Sequence, residues 1–348
     1  MIRRLLHTIR KSYEPKALVL MYHRVAELET DAWRLAVKPQ NFEEQLQVLS
    51  RSWRVVPLAE LVGDLTHHRL RRNSVAITFD DGYEDNYLAA RPLLEKYNVP
   101  ATFFICSGNI GSRTEFWWDE LEHLILSTEV LPHTLDMWIN QAQINFDLGT
   151  EQHLTEALKK KQQEWMAFVQ EPPTLRSILY LKLWEQLKPL PGHLQQAYLQ
   201  QIKVWAGVSG APRAAYQSMN LEQLQDLARN SLFDIGAHTV SHPDLASLSP
   251  SAQQQELVGC KSFLEKAISR EVTLLAYPYG SCNQETVRLA AEAGFQAAVI
   301  TQDYPVHPTS ARYKLGRFLV DDWSGKQLDA CIKSWLTIKA NAHAHYAA

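Results

Sequence analysis

The chain has 348 residues, of which 46% are hydrophobic and 21% are charged. These proportions are ordinary for a globular protein and exclude a disordered chain, a coiled coil and a collagen-like fibre. The 35 basic and 38 acidic side chains nearly cancel, which leaves a formal net charge of −3. Because this balance offers no broad cationic field, we do not expect nucleic acid as a partner.

The cysteines and the N-terminal residues bear on the cellular compartment. The four cysteines are far apart and form no C-x-x-C pair, which favours a reducing compartment over a disulfide framework. Residues 1–13 contain no continuous apolar segment with a cleavage site, so a signal peptide is not expected. No stretch reaches the ~18 apolar residues that a membrane-spanning helix needs. We expect a cytoplasmic protein, with residues 1–13 either solvated or an amphipathic helix at the inner face of the membrane.

Apolar runs alternate with helical patterns in the first third of the chain. Residues 16–25 read K-A-L-V-L-M-Y-H-R-V, a run typical of a strand buried on both faces of a parallel sheet. The same reasoning predicts further strands at 54–57, 74–79 and 101–105, with helices at 42–49, 58–65 and 86–97. This alternation is typical of a parallel α/β sheet or barrel.

The pattern changes near Glu115. Residues 115–220 contain helical periodicity and almost no strand pattern, with breakers at Pro172-Pro173 and Pro191-Gly192. Six tryptophans in this segment argue against a disordered linker; they are Trp117, Trp118, Trp138, Trp165, Trp184 and Trp205. We interpret 115–220 as an inserted helical subdomain between two parts of one barrel domain, residues 1–114 and 221–348.

The α/β alternation resumes after the insertion. Strands are predicted at 232–237, 272–277, 297–301 and 313–320, with helices at 221–228, 253–268 and 285–293. Polar residues follow several of these strands, and in a closed parallel barrel the carboxyl ends of the strands converge on one rim. The polar residues at these ends are His23, Asp80, Asp81, His238 and His242.

Two adjacent aspartates at a strand end predict a bound cation, because like charges at short range cannot both ionise cheaply without one. His238 and His242 lie four residues apart and can reach the same ion. Two histidines and one aspartate leave an open coordination position for water, which is typical of a catalytic site. The second aspartate is then free to accept the proton of that water. An isolated Asp-Asp-Gly is usually a turn, and only the combination points to catalysis.

Several segments match one family. They are T-F-D-D-G at 78–82, H-T-V-S-H at 238–242, A-Y-P-Y-G at 276–280, L-M-Y-H-R-V at 20–25 and P-A-T-F-F at 100–104. With these segments the sequence resembles the polysaccharide deacetylase family, also called the NodB homology domain or carbohydrate esterase family 4. The resemblance covers residues 16 to about 110 and 221 to about 323, and leaves the insertion unexplained.

The resemblance implies a distorted (β/α)7 barrel that removes acetyl groups from N-acetylated sugars, or O-acetyl from xylan. It implies that Asp81, His238 and His242 hold a divalent metal, usually Zn²⁺, with Co²⁺, Ni²⁺ or Fe²⁺ as alternatives. It further implies that Asp80 is the general base and that the Tyr279 N–H stabilises the oxyanion. The residues expected to face the substrate or the oxyanion are Tyr277, Pro278, Tyr279 and Arg317.

The sequence departs from the family pattern at two positions. Ala276 stands where the family usually has an arginine that pairs with the catalytic aspartate, so the pKa of Asp80 should be less depressed unless another cation such as Arg317 reaches it. Leu315-Gly316-Arg317 stands where the family usually has a histidine acid. In a closed barrel the first strand neighbours the last, so we expect His23 to protonate the leaving amine. A structural role for His23 is the alternative.

We therefore predict metal-dependent hydrolysis of the N-acetyl group of a saccharide, either a polysaccharide or a lipid- or nucleotide-linked sugar precursor. Two other interpretations stay open: a carbohydrate-binding pseudoenzyme, favoured by the two departures, and an amidase on another C–N bond, such as a formamide on a lipid-linked sugar. The sequence leaves the oligomeric state undetermined.

Overall fold

The computed structural model describes residues 15–338; the predicted amphipathic segment 1–13 lies outside the described residues. The strands are β1 (Ala17–Tyr22), β2 (Arg24–Val25), β3 (Ala36–Val37), β4 (Arg54–Val55), β5 (Ser74–Phe79), β6 (Ala101–Ile105), β7 (Thr134–Ile139), β8 (Ala142–Asp147), β9 (Phe233–Ala237), β10 (Leu274–Ala276), β11 (Ala297–Val299) and β12 (Phe318–Leu319). The α-helices are α1 (Pro39–Ser52), α2 (Leu58–Thr66), α3 (Arg91–Tyr97), α4 (Trp117–Glu122), α5 (Glu156–Glu164), α6 (Leu175–Leu187), α7 (Gly192–Trp205), α8 (Leu221–Arg229), α9 (Pro250–Ile268), α10 (Gln284–Glu292) and α11 (Gly325–Trp335).

The main sheet is parallel and curls into an incomplete barrel. Its strand order is β11-β10-β9-β6-β5-β1-β12, with β4 also paired to β5. The segment that ends in β12 brings the two edges together, because Leu315 pairs with Val299 of β11 and Phe318 pairs with Leu20 of β1. The predicted distorted (β/α)7 barrel is confirmed.

The barrel strands are apolar because both of their faces are covered. Every residue of β1 and of β5 is buried. The ring of Phe79 stacks between those of Tyr22 and Phe103, with ring centroids 5.3 and 5.0 Å apart. Phe42 of α1 packs edge-on against Tyr22 and Phe79, so these aromatic rings fill the space between the sheet and the helix that covers it. Several polar residues follow the C-terminal ends of β1, β5 and β6 and lie close together.

Residues 115–220 supply most of a second hydrophobic cluster, which contains Trp117, Leu121 and Leu183 and is joined by Tyr83 and Cys106 of the barrel. The interpretation of this segment as a helical subdomain is incomplete, because β7 and β8 form an antiparallel hairpin between its helices. Their side chains alternate between buried and exposed, the pattern of a half-buried strand. That period of two was overlooked within the longer helical periodicity of the segment.

Helix α11 is a second element that was not predicted. It begins at a capping box formed by Ser324 and Gln327, a signal that the sequence contains. The ring of Trp335 on this helix stacks on Phe318 of β12, with ring centroids 4.5 Å apart. The helix therefore covers the outside of the last strand. Within residues 15–338, none of the helices combines the length and the apolar character needed to cross a bilayer.

Candidate active site

The polar residues that follow β1, β5 and β9 meet at one rim of the barrel. They open into a cavity of about 510 Å³. The residues that line this cavity are Met21, His23, Trp33, Leu35, Asp80, Asp81, Trp118, Phe168, Trp184, His238, His242, Tyr279, Thr301, Asp303 and Leu319. The convergence expected of parallel strand ends therefore places the predicted catalytic and metal-binding residues in one cavity.

Asp81, His238 and His242 surround one point. The Oδ1 atom of Asp81 lies 3.5 Å from the Nε2 atom of His238 and 3.5 Å from the Nε2 atom of His242. All three residues are buried. The Nδ1 atom of His238 lies 2.8 Å from the Ala276 carbonyl oxygen, so this nitrogen carries the hydrogen and Nε2 offers its lone pair to the shared point.

This arrangement fits a divalent cation. The Asp81 Oδ1 atom is buried without a hydrogen-bond partner, and an unpaired buried carboxylate oxygen is costly. Burial would by itself raise the pKa of Asp81, but His238 and His242 hold this pKa below its ordinary value. Two imidazoles and a carboxylate are also the donor set of catalytic zinc sites. These residues could hold a metal with one or more positions open.

The backbone at the site adopts a conformation that side chains usually avoid. Asp81, Thr239, His242 and Tyr279 have φ values of 74°, 67°, 55° and 57°. Each such residue costs roughly 1–2 kcal/mol relative to an ordinary conformation. Strain of this kind persists only where surrounding contacts hold the backbone in that conformation, and it is common at functional sites.

Asp80 is bound by a buried arginine. Arg317 donates from Nη1 to Oδ1 and from Nη2 to Oδ2, both at 2.6 Å. Burial would raise the pKa of Asp80, but the charges of Arg317 and His238 and the Arg317 hydrogen bonds together hold it well below its usual range. Asp80 therefore stays ionised, and its remaining lone pairs can accept a proton.

This pair bears on two predictions. The expectation for the pKa of Asp80 with alanine at position 276 allowed for a replacement cation such as Arg317, and Arg317 supplies it from the last strand segment. The assignment of Arg317 to the substrate or oxyanion group finds no support in this geometry, because its side chain is fully buried and its guanidinium is engaged with Asp80 and with the Ile300 carbonyl. The bidentate geometry orients the carboxylate as well as balancing its charge.

His23 lies in the same cavity, at the end of β1. Its Nδ1 atom is buried and has no hydrogen-bond partner, while its carbonyl accepts a hydrogen bond from the Asn86 side chain at 2.7 Å. Burial lowers the pKa of His23 and outweighs the opposite influence of Asp81 and Asp80. His23 therefore lines the same cavity as both aspartates. The strand that precedes it, β1, pairs with β5 on one side and with β12 on the other.

The segment 277–279 is split between the core and the cavity. Tyr277 is fully buried in the main hydrophobic cluster, and Pro278 is buried without lining the cavity. The prediction that both face the substrate finds no support in this geometry, because Tyr277 packs in the hydrophobic cluster between the sheet and helices α9 and α10. Tyr279 does line the cavity, and its ring lies 4.6 Å from that of His242.

An aromatic wall, defined here as Trp33, Trp118, Phe168 and Trp184, stands over the predicted metal ligands. The ring of Trp118 lies 4.6 Å from that of His242, and the rings of Trp33 and Trp184 are 4.6 Å apart. Three of the four residues come from the insertion. Sequence reasoning did not single out Trp33 or Phe168, and it left open which tryptophans of the insertion stack on sugar rings, because no periodicity shows which of them line a cleft and which fill a core.

Cys106 was also missed. Ligand atoms of Asp81, Cys106 and His238 lie within 4.8 Å of one another. The thiol contacts the His238 carbonyl oxygen at 3.2 Å, and burial raises the pKa of Cys106 well above its ordinary value. A buried thiol of this kind is unreactive, so it serves here as a small apolar neighbour of the site. Cys106 lies far from the other cysteines in the sequence, so no cysteine motif predicted that it neighbours the site.

Known proteins resemble this chain in sequence and in fold. The sequence profile of the family described as polysaccharide deacetylase matches residues 67–175 and 194–298. The chain therefore belongs to the polysaccharide deacetylase family, and the resemblance drawn from the motifs is confirmed.

Individual relatives match over most of their length. The chain is 24% identical to YxkH of Bacillus subtilis (strain 168) over 328 residues, which cover 93% of this chain and 79% of the relative. It is 22% identical to the poly-beta-1,6-N-acetyl-D-glucosamine N-deacetylase of Staphylococcus aureus (strain MSSA476) over 338 residues, which cover 93% and 84%. The structure of the deacetylase PplD of Streptococcus pyogenes in complex with acetate superposes with a TM-score of 0.58 at 20% identity, over 92% of this chain and 99% of PplD.

Proposed function

We propose that this protein is a metal-dependent hydrolase that removes the N-acetyl group from an N-acetylated saccharide. One observation carries the proposal: the Asp81 Oδ1 atom lies 3.5 Å from both the His238 and the His242 Nε2 atoms, and Asp80 stands beside them as a second, arginine-bound carboxylate. A binding protein has no need of a second carboxylate next to such a ligand set.

Asp81, His238 and His242 would hold the metal, with Zn²⁺ as the first choice because two nitrogens and one carboxylate oxygen suit it. Bound there, a divalent cation supplies Lewis acidity, which polarises a carbonyl oxygen and acidifies water. Asp80 accepts the proton of the attacking water. Arg317 keeps Asp80 ionised and fixes the direction of its free lone pairs.

The collapse of the tetrahedral adduct needs an acid, because an amine leaves poorly as an anion. His23 lines the cavity from the side of β1, and we propose that it protonates the departing nitrogen. The Tyr279 N–H is proposed to donate a hydrogen bond to the oxyanion. Left-handed backbone at Tyr279, with φ of 57°, supports a specific role for the amide at this position.

The aromatic wall supports a saccharide as the substrate. Sugars present apolar C–H faces that pack on aromatic rings, while their hydroxyl groups require water or polar partners at the edges. Phe168 is 54% exposed at the rim of the cavity, where a second sugar unit of an oligomer would lie. The poly-N-acetylglucosamine activity named for the Staphylococcus aureus relative supports a substrate of this class. The cytoplasmic location stays a prediction.

Release of acetate tests the proposal. The purified protein is incubated with Zn²⁺ and a panel of N-acetylglucosamine oligomers and N-formylated analogues, and acetate and formate are measured. We expect acetate release that is lost in Asp80→Asn. Formate release without acetate would identify the amidase alternative, and binding of the oligomers without either product would identify the pseudoenzyme.

A further inference from the structure

Glu256 of α9 holds the loop that carries the two histidines. Its Oε2 atom accepts hydrogen bonds from the backbone N–H groups of Val240 and Ser241, at 2.8 and 2.9 Å. Its Oε1 atom accepts a third from the Ser241 hydroxyl at 2.7 Å. Two consecutive backbone N–H groups form a concave anion-binding nest, and here the anion is a side chain of the protein itself.

The loop needs such support because it is strained. Thr239 and His242 both have positive φ, and an L-residue pays roughly 1–2 kcal/mol for that conformation. Without Glu256, the N–H groups of Val240 and Ser241 would lose their partner, and these two peptide units would be held from their carbonyl side alone. His242 follows directly, so the direction of its imidazole depends on these two peptide units.

Helix α9 is shaped to approach the loop. Gly259 lies three residues after Glu256, on the same face of the helix, and a Cβ atom there would come within 3.1 Å of a Val240 methyl carbon. Glycine inside a helix costs about 1 kcal/mol relative to alanine. The close packing of Val240 accounts for that cost and places the Glu256 carboxylate directly under the loop.

The opposite side of the loop is held by the end of β6. The Ser107 N–H donates to the Thr239 carbonyl at 3.1 Å and the Gly108 N–H donates to the Val240 carbonyl at 2.9 Å. These bonds fix the carbonyl side of the loop, and Glu256 fixes its N–H side. Among the described residues, Glu256 is the charged group that bonds the segment between the two histidines.

We infer that Glu256 is a positioning residue, which sets the metal affinity of the site by fixing the loop between His238 and His242. It does not contact the metal position. The inference rests on the proposed function, since it requires that these histidines bind a metal. Residues that orient metal ligands from outside the ligand set typically account for about 10–100-fold in metal affinity or activity.

The test compares Glu256→Gln with a matched variant on the same helix. Glu265 also accepts a backbone N–H from a following loop, that of Val272 at 3.0 Å, but this loop carries no site residue. Glu265→Gln therefore reports the cost of losing a carboxylate-to-loop bond on α9. The Zn²⁺ dissociation constant of both variants and of the wild type is measured by competition with a chromogenic chelator.

We expect Glu256→Gln to raise the Zn²⁺ dissociation constant about 10–100-fold and Glu265→Gln to leave it within twofold of wild type. An equal effect in both variants, or no effect in either, overturns the inference. If Glu256→Gln does not fold, Ser241→Ala replaces it; this variant removes one of the three bonds, and an unchanged constant overturns the inference equally. Failure of the wild type to bind Zn²⁺ would instead overturn the proposed function.

Discussion

The guanidinium of Arg317 binds both carboxylate oxygens of Asp80 although the two residues are 237 positions apart in the chain. The family usually supplies this cation from the position that Ala276 occupies here. Here Arg317, which directly precedes β12, supplies the cation instead. This is possible because β12 and β5 are the two neighbours of β1 in the sheet. In this chain the cation that binds the aspartate therefore comes from a different position of the sequence.

Replacing Arg317 by lysine tests whether the bidentate geometry matters beyond charge. Lysine keeps a cation but cannot bond both carboxylate oxygens in a planar fork, so Asp80 loses its orientation. We expect kcat to fall about 10–100-fold, on the order of 1.4–2.7 kcal/mol, with the Zn²⁺ content unchanged. The exposed Arg312 provides the control variant Arg312→Lys, and equal rates for the two variants would contradict the proposed role.

Removal of the metal tests the ligand set. We expect dialysis against a chelator to abolish acetate release and Zn²⁺ to restore it. Because a ligand that binds only the folded state stabilises by about 2.7 kcal/mol at a concentration 100 times its dissociation constant, the melting temperature should also rise with added Zn²⁺. His242→Ala should lose both responses. Full activity of the chelator-treated protein would disprove metal dependence.

Replacing His23 by alanine tests the acid role. General acid catalysis contributes about 10²–10⁴-fold to a rate, so kcat on an N-acetylated sugar should fall by that order while metal binding stays intact. A 4-nitrophenyl acetate substrate separates acid catalysis from structural damage, because nitrophenolate leaves without protonation. We expect the variant to hydrolyse this ester at close to the wild-type rate. Equal losses on both substrates would support a structural role for His23 instead.

The aromatic wall should contribute to binding more than to the chemical step. Phe168→Ala removes a half-exposed ring at the cavity rim, and a packed aromatic contact is worth about 0.5–1.5 kcal/mol. We expect KM for an N-acetylglucosamine oligomer to rise roughly threefold to tenfold, with kcat nearly unchanged. Trp138 is similarly exposed at 58% but does not line the cavity, so Trp138→Ala should not change KM. The idea fails if both variants behave alike.

A buried glutamate in the insertion should make stability depend on pH. Burial raises the pKa of Glu122 from 4.5 to about 8, reinforced by Asp31 and Asp119 and opposed by Thr30 and Arg213. Between these values the folded protein holds a proton that the unfolded chain has released, so the free energy of unfolding falls as the pH rises. Above about 8 the folded carboxyl ionises as well and the decline levels off.

Urea unfolding at several pH values between 5 and 9 measures this effect. We expect Glu122→Gln to reduce the decline of the unfolding free energy across that interval. The matched control is Glu156→Gln, since Glu156 is exposed on the surface of the insertion, and it should retain the wild-type slope. A Glu122→Gln slope identical to that of wild type would refute the assignment.

The sequence by itself determined the barrel strands and the family. Largely apolar runs such as 74–79 predict buried strands because a strand covered on both faces carries few polar side chains, and those it carries need hydrogen-bond partners. The motifs around Asp80 and His238 predicted that these residues lie together, because strand ends of a parallel barrel share one rim, and they line one cavity. Both inferences use local pattern together with a general rule of topology. The hairpin β7–β8 was not predicted, because the alternation of buried and exposed residues in its strands lies within a segment of helical periodicity.

Only the tertiary structure decided which side chains meet. Arg317 bonds Asp80, Glu256 bonds the histidine loop, and Trp184 lines the cavity while it also packs against the core of the insertion. Each relationship joins residues from different elements, and its geometry depends on how the curled sheet brings its edges together and how the insertion packs on it. Burial and hydrogen-bond direction are properties of the packed chain, so no local pattern encodes them.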